Sequence, residues 1–396
     1  MRVLIGTVTA GAGHLAAAAA LDEAWRSCQP EDVVERLDLV KFFSPLHRKI
    51  VSDGYVTLVE HAPELWGMMF GKTDNPEAAR RLNRLRRLFP SNSRHRFTQY
   101  LQHFQPDIAL CTHYLPLETL GMMRAKAAKT ERRAARRDRR TAPAPQPLVV
   151  SIVTDFEAHA LWMDPCVDLY CVATEATKAR LVARGAAADG VVATGIPIAA
   201  KFCAKADPKA VRRAAGLRDD LPTLLVLSGG FGMGPVEEIL AQLDLVQRPF
   251  QTIVVTGRNE ELRRKVAATD RRHPTHVLGF ASNMHELMAV SDLIITKPGG
   301  LTSSEALALG RPLFIVNPIP GQEAANSDFL LEHGAAAKVN RVEDLPYRLE
   351  QLLGSKKLTE MARAAKALGR PFAAREVCRE ALGRAAARME AAESVK

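Results

Sequence analysis

The sequence predicts an α/β protein made of two doubly wound, Rossmann-like units facing a cleft. Three observations predict it. Short apolar runs of strand length alternate with helical patterns along the chain, the mark of parallel strands joined by crossover helices. The 396 residues exceed what one hydrophobic core ordinarily organises, and 47% hydrophobic residues are enough to fill two. A boundary falls near residues 198–208, where one series of strands ends and a second begins. Ligands of open α/β sheets bind outside the carboxyl ends of the strands, so the predicted site lies between the two units.

The first unit, residues 1–198, opens on a strand at 3–7, followed by the turn Gly11-Ala12-Gly13-His14 and an Ala-rich helix at 15–27. Further strands are expected at 33–38, 108–111, 149–154 and 169–173, with a last one near 194–197. The second unit, residues 199–370, has expected strands at 223–227, 251–256, 276–278, 293–296, 313–316 and 336–339. A late helical stretch, 358–392, is rich in Ala, Arg and Glu, and residues 371–396 form a separate helical tail.

Net charge is +10 with a sequence pI near 9.4, and the basic residues concentrate in the first unit. Residues 80–89, RRLNRLRRLF, continue through Arg94 and Arg96 without an acidic residue, and Leu82, Leu85, Leu88 and Phe89 recur at helical spacing. Such a helix suits an anionic membrane surface, with Arg84 and Arg87 toward the headgroups and Trp66, in LWGMMF at 65–70, in an apolar wedge. The competing readings are a Leu stripe buried in its own domain and a nucleic-acid patch; no recognition motif accompanies the latter, and no nucleic-acid partner is expected. A second basic run at 124–140, with a proline-rich stretch at 141–147, reads as a surface insertion at about 124–147. No apolar run reaches the length that spans a bilayer, and the first residues lack a secretory pattern. A peripheral protein on the cytoplasmic face of the membrane is expected. The six cysteines form no CxxC pair or zinc spacing, which fits a reducing compartment.

The most informative chemistry lies at 277–336. Lys297-Pro298-Gly299-Gly300 forms a turn after an apolar strand, and Leu301-Thr302-Ser303-Ser304-Glu305 opens a helix whose free N–H groups and positive dipole end suit a phosphate. Glu305, one turn on, can accept from two ribose hydroxyls, and Gln322 and Glu323, at the start of the next helix, can read sugar hydroxyls. An ordinary strand-to-helix turn with a solvated Glu has the same glycine spacing. Near the N-terminus, Gly11-x-Gly13-x-x-Ala16 with Asp38 at the end of the second strand fits a relaxed dinucleotide fingerprint, but that reading leaves His14 unexplained.

ITKPGG-x-T-x-x-EA, followed by PGQE-x-x-N and GAA, resembles the donor-binding half of the processive diacylglycerol glucosyltransferases and monogalactosyldiacylglycerol synthases of glycosyltransferase family 28. The likeness continues in family order along nearly the whole chain. TAGAGH at 9–14 resembles the family's opening motif, TDFEAHALW at 154–162 its TD-x-x-x-H-x-x-W motif, and GGFGMGP at 229–235 and TGRN at 256–259 fall in sequence with them.

The resemblance implies the two-domain architecture called GT-B, with the C-terminal helix crossing back to the first domain. It also implies an inverting transferase that moves a hexose, glucose before galactose, from a UDP-sugar to 1,2-diacylglycerol. Lys297, Gly299, Gly300, Leu301 and Thr302 would hold the diphosphate, Glu305 the ribose, and Gln322, Glu323 and Asn326 the hexose. Gly230 and Gly232 would present N–H groups to phosphate or sugar, Arg258 would pair with a phosphate, and Phe280 would contact uracil. His14 would be the base or place the acceptor, beside Gly13, and Asp155 would be the base or orient a histidine, with His159 and Trp162 shaping the acceptor entrance. No His/Cys cluster or Asp-x-Asp pair suggests a metal clamp, so no metal or other cofactor is expected. The alternatives are a different lipid acceptor, as in the transferase that completes the peptidoglycan lipid precursor, a UDP-sugar epimerase, and a non-enzymatic UDP-sugar binder.

Overall fold

A computed structural model describes residues 1–9, 11–44, 48, 58, 61–79, 81, 92–135, 146–204, 207–228 and 234–394. The chain divides into two compact units: Met1–Ala199 together with Phe372–Lys396, and Ala200–Pro371. Each holds one six-stranded sheet in which every pairing is parallel.

In the first unit the strands are β1 (Arg2–Thr7), β2 (Val33–Asp38), β3 (Ile108–Cys111), β4 (Leu148–Ile152), β5 (Leu169–Val172) and β6 (Val191–Ala193), in the order β2-β1-β3-β4-β5-β6. Central strands read as unbroken apolar runs because helices cover both faces; all of β3, β4 and β5 is buried. The sixth strand is not at 194–197. Val191–Ala193 pairs with β5, and Gly195, at φ 89°, turns the chain out of the sheet two residues later. The helix Leu115–Ala135 runs well into the expected insertion. Its Arg124 is part of the scaffold: the guanidinium grips both Asp168 oxygens at 2.8 Å and donates to the carbonyls of Cys166 and Pro147. Residues 136–145 and 82–91, the latter with Arg84 and Arg87, lie outside the described residues.

The second unit repeats the design with β7 (Thr223–Leu227), β8 (Gln251–Val255), β9 (Thr275–Leu278), β10 (Leu293–Thr296), β11 (Leu313–Val316) and β12 (Ala336–Val339), in the order β12-β11-β10-β7-β8-β9. Phe250, Phe314, Leu224, Val226 and Ile295 fill its core. The expected continuous helix at 358–392 is two helices, Lys356–Leu368 and Ala373–Glu393. Gly369 and Pro371 break it. At Gly369 a Cβ would overlap the Leu307 carbonyl oxygen, so only glycine lets the chain end pass this close to the helix Gly300–Ala308.

The last helix returns to the first unit. Ala374, Val377, Cys378, Ala381 and Ala385 are buried with Ala18, Leu21, Ala24 and Trp25 of the helix Ala12–Cys28 and with Val3, Ile5 and Val150 of the sheet. Alanines on both facing helices allow close backbone approach, and the chain end thus completes the core of the unit in which the chain began. Ala381→Leu should therefore overpack this contact and cost about 1–3 kcal/mol in urea melting, whereas the same change at exposed Ala386 should be near neutral.

Candidate active site

In the first unit the functional side chains stand where strands end. Gly11, at φ 127°, carries the chain from β1 into the helix Ala12–Cys28, a conformation costly for a side-chain-bearing residue. This turn sets His14 in the first helical turn. Its Nδ1 lies 2.8 Å from the Thr112 carbonyl oxygen and 3.0 Å from Thr154 Oγ1. A carbonyl only accepts, so Nδ1 carries the proton and Nε2 keeps its lone pair. Burial pushes the imidazole down to about 4, against the raising effect of the Thr112 bond, so the ring is neutral at physiological pH. Nearby anionic charge would raise it again.

Around His14 the rings of His113, edge-on at 4.8 Å, and Trp162, at 6.3 Å, close the site. Trp162 is buried and also packs on Tyr114. Asp155 is partly buried in the turn after β4, directly following Thr154. His159 is committed to structure at both nitrogens: Nδ1 accepts from Leu161 N–H at 3.1 Å, and Nε2 donates to the Phe70 carbonyl at 3.0 Å. It ties the helix Pro63–Thr73 to this segment. Gly13 is partly buried one residue before His14, and Trp66 stands on Pro63–Thr73 beside Phe70. Asp38 accepts from the backbone of Thr9 and Val40 and from the Thr9 hydroxyl, so its oxygens are spent on the chain itself and not held open for a ribose.

In the second unit β10 ends at Thr296, and Lys297-Pro298-Gly299 leads into the helix Gly300–Ala308. Gly299 provides no side-chain cap, so the first amides of this helix, at Gly300, Leu301 and Thr302, point out of its N-terminus without intrahelical partners. Lys297, beside them, forms no ion pair among the described residues. Glu305, on the same helix, is partly buried, and no donor among the described residues reaches its carboxylate. Burial raises it to about 7, opposed by the charge of Lys201.

Glu323, in the first turn of Gln322–Glu332, holds Ile319 N–H at 2.8 Å with Oε2 and brings Oε1 to 4.0 Å from where a Cβ on Gly299 would stand. Gln322 precedes it in the same turn. Asn326 is buried, with Nδ2 donating to the Pro298 carbonyl at 3.1 Å; this amide braces the turn from behind. Across the sheet Arg258 lies 5.8 Å over the ring of Phe280, which is 71% exposed. Gly230 and Gly232 lie outside the described residues. Among the described residues no three His, Cys, Asp or Glu side chains gather to hold a metal ion, and no helix is long and apolar enough to cross a membrane.

Two family models match. Residues 14–198 fit the monogalactosyldiacylglycerol (MGDG) synthase model, and residues 224–376 fit the glycosyltransferase family 28 C-terminal domain. The chain belongs to this family of glycosyltransferases. Among its relatives, the processive diacylglycerol beta-glucosyltransferase of Bacillus pumilus is 29% identical over 370 residues, covering 93% of this chain and 91% of that protein. The enzyme of the same name from Bacillus licheniformis is 28% identical over 369 residues, covering 92% and 90%. Solved structures of similar fold include MurG of Acinetobacter baumannii, with a TM-score of 0.58 at 17% identity over 95% of this chain and 97% of that one. HepE of Anabaena in complex with UDP-glucose has a TM-score of 0.54 at 13% identity over 97% and 100%. The UDP-GlcNAc 2-epimerase of Neisseria meningitidis bound to UDP-GlcNAc reaches 0.58 at 15% identity over 97% and 100%. The architecture is GT-B, and it is shared by transferases and epimerases.

Sequence reading missed Thr112, His113, Tyr114 and Lys201. The first three follow β3 and could have been found by asking what stands at each strand's carboxyl end; Lys201, at the unit boundary, carried no signal.

Glu305 couples stability to pH. Its folded value lies above the ordinary 4.5, so the folded protein binds the extra proton between pH 4.5 and about 7, and stability falls as pH rises through that window. Glu305→Gln removes the loss. In thermal melts of the ligand-free protein the variant should be more stable than the parent at pH 8, by on the order of 3 kcal/mol, and indistinguishable from it at pH 4.5.

Proposed function

We propose that the protein transfers a hexose from a UDP-sugar to 1,2-diacylglycerol with inversion at the anomeric carbon, glucose being the favoured sugar and galactose the second. The single observation that carries the donor half is Glu305: a desolvated carboxylate without a donor among the described residues, on the helix whose open amides follow Lys297 and Gly299. Ribose hydroxyls supply the missing donors, the helix terminus and Lys297 receive the diphosphate, and Phe280 with Arg258 offers a face for uracil. Glu323, whose Oε1 lies near Gly299, and Gln322, which precedes it, read the hexose. The relatives' names and the MGDG synthase match over the first unit support the lipid acceptor over the peptidoglycan precursor, and over epimerisation.

His14 is the base in this reading. Its Nδ1 is held by Thr112, so Nε2 takes the proton of the acceptor hydroxyl as that oxygen bonds to the anomeric carbon; the bond from that carbon to the UDP oxygen breaks, and its electron pair leaves with UDP. Asp155, beside Thr154, orients the acceptor or assists the base. The helix terminus and the cations Lys297 and Arg258 stabilise the leaving UDP, so the reading asks for no metal. Because the acceptor sits in a bilayer and the donor in water, we place the reaction on an anionic membrane surface, at its cytoplasmic face, with no nucleic-acid partner.

Purified protein incubated with diacylglycerol in anionic liposomes should convert UDP-glucose, in preference to UDP-galactose, into hexosyl-diacylglycerol detected by mass spectrometry. UDP-sugar turnover without a lipid product would contradict the reading. His14→Ala should lower transfer by roughly 10²–10⁴-fold, the range of general base catalysis, while UDP affinity measured by calorimetry stays unchanged.

A further inference from the structure

A proton taken by His14 leaves a cation that the fold does little to support. Burial disfavours it, and so does the positive end of the helix Ala12–Cys28, in whose first turn the residue stands. Neither ring nitrogen meets a carboxylate among the described residues; Asp155, next to Thr154 in the chain, bonds neither. Of the other titratable groups around the ring, His113 lies edge-on at 4.8 Å and spends its Nδ1 on the Leu115 N–H at 3.1 Å. Tyr114 stacks on His113 at 4.3 Å. What the ring does meet is two neutral oxygens on one nitrogen. Nδ1 is 2.8 Å from the Thr112 carbonyl and 3.0 Å from Thr154 Oγ1. With the proton held on Nδ1 by the carbonyl, the hydroxyl oxygen faces the same N–H as a second acceptor.

Both oxygens are placed by the sheet. Thr112, fully buried, follows β3; its N–H donates to the Gly6 carbonyl of β1 at 3.0 Å, and its hydroxyl donates to the His14 carbonyl at 3.1 Å. One residue thus grips the backbone and the ring of His14 together. Thr154, also buried, follows β4, and the N–H of Val153 before it donates to the Cys171 carbonyl of β5 at 3.0 Å. The two acceptors differ in one respect. The carbonyl is a fixed dipole, whereas the hydroxyl turns about its Cβ–Oγ bond and can aim a lone pair at Nδ1–H as charge grows there. Resting on the reading of His14 as the base, we propose that Thr154 is its positioning residue, the hydroxyl oxygen standing where an acid–histidine pair has a carboxylate. As the acceptor hydroxyl gives its proton to Nε2 and its oxygen bonds to the anomeric carbon, the ring becomes an imidazolium whose charge is shared by Nδ1–H. The bond to Thr154 strengthens at that moment. The neutral ring needs it less, so the residue acts on turnover and not on acceptor binding.

Thr154→Val keeps the branched shape and loses the oxygen. It should lower kcat roughly tenfold while KM for diacylglycerol and for the UDP-sugar stays within about twofold. It should also move the acid limb of the kcat profile to lower pH, because an imidazolium with one acceptor fewer gives up its proton more readily. Thr154→Ser, which keeps the hydroxyl, should restore both the rate and the limb. An unchanged kcat would overturn the role. So would a fall that leaves the acid limb in place, or one that the serine variant shares, since either makes Thr154 a packing residue. A second arm needs no turnover: the His14 ring is titrated by NMR in the ligand-free protein labelled at its histidine nitrogens. The midpoint, about 4 in the parent, should lie lower in Thr154→Val. A midpoint that Asp155→Asn moves and Thr154→Val does not would assign the ring to the carboxylate and overturn the proposal. A lower midpoint in Thr154→Val, in a protein that makes no glycolipid, would uphold the bond and fail the functional reading instead.

Discussion

A carboxylate that folding takes largely out of water and leaves without a donor among the described residues is the constraint on which the second unit depends. Glu305 lies on the short helix Gly300–Ala308, and burial raises its proton affinity to the point where it is half-ionised near neutrality. Folding gains nothing from this group alone. The surrounding construction makes sense as the means of keeping it there: Asn326 holds the Pro298 carbonyl behind the turn, and the glycine at 369 lets the chain end lie against Leu307 at the far end of the helix. Those contacts fix the helix at both ends, so the open amides and the carboxylate keep their spacing without a ligand.

The first unit solves the opposite problem. In the proposed mechanism a base must be neutral and aimed; the Thr112 carbonyl aims it by holding the proton on Nδ1 of His14, and burial disfavours a second proton. The two buried groups are thus displaced in opposite directions from their ordinary values by the same physical cause. Desolvation makes a carboxyl weaker as an acid and an imidazole weaker as a base, and both states suit a site that meets an anionic donor.

Much of this was legible in the sequence. Parallel strands buried on both faces are continuous apolar runs, so eleven of the twelve could be placed within two residues, and the glycines of the turn before the helix Gly300–Ala308, together with Glu305, stood out by spacing. What escaped was set by tertiary contact. Val191–Ala193 is a short run that becomes a strand only because β5 offers it an edge, whereas the apolar run after it is turned away at Gly195. The break between the last two helices needs Leu307, far away in sequence, to explain Gly369. Arg124 looks like the first residue of a basic surface run and is instead an internal brace, because Asp168 waits across the sheet for it. His159 matched a family motif, but its bonds to Phe70 and Leu161 join two segments that periodicity alone cannot bring together.

In the proposed reading the donor and acceptor halves rest on the same logic, polar groups held in place by the fold with part of their bonding capacity kept for the substrate, and Glu305 is the clearest instance. The most direct measurement is the affinity of UDP for the parent protein and for Glu305→Gln, by calorimetry at pH 8. Loss of charge-assisted bonds to the ribose, worth about 1.5–3 kcal/mol, predicts an affinity roughly 10 to 150 times weaker in the variant. Equal affinities would mean that the buried carboxylate does not serve the nucleotide, and the account of the donor site would fall with it.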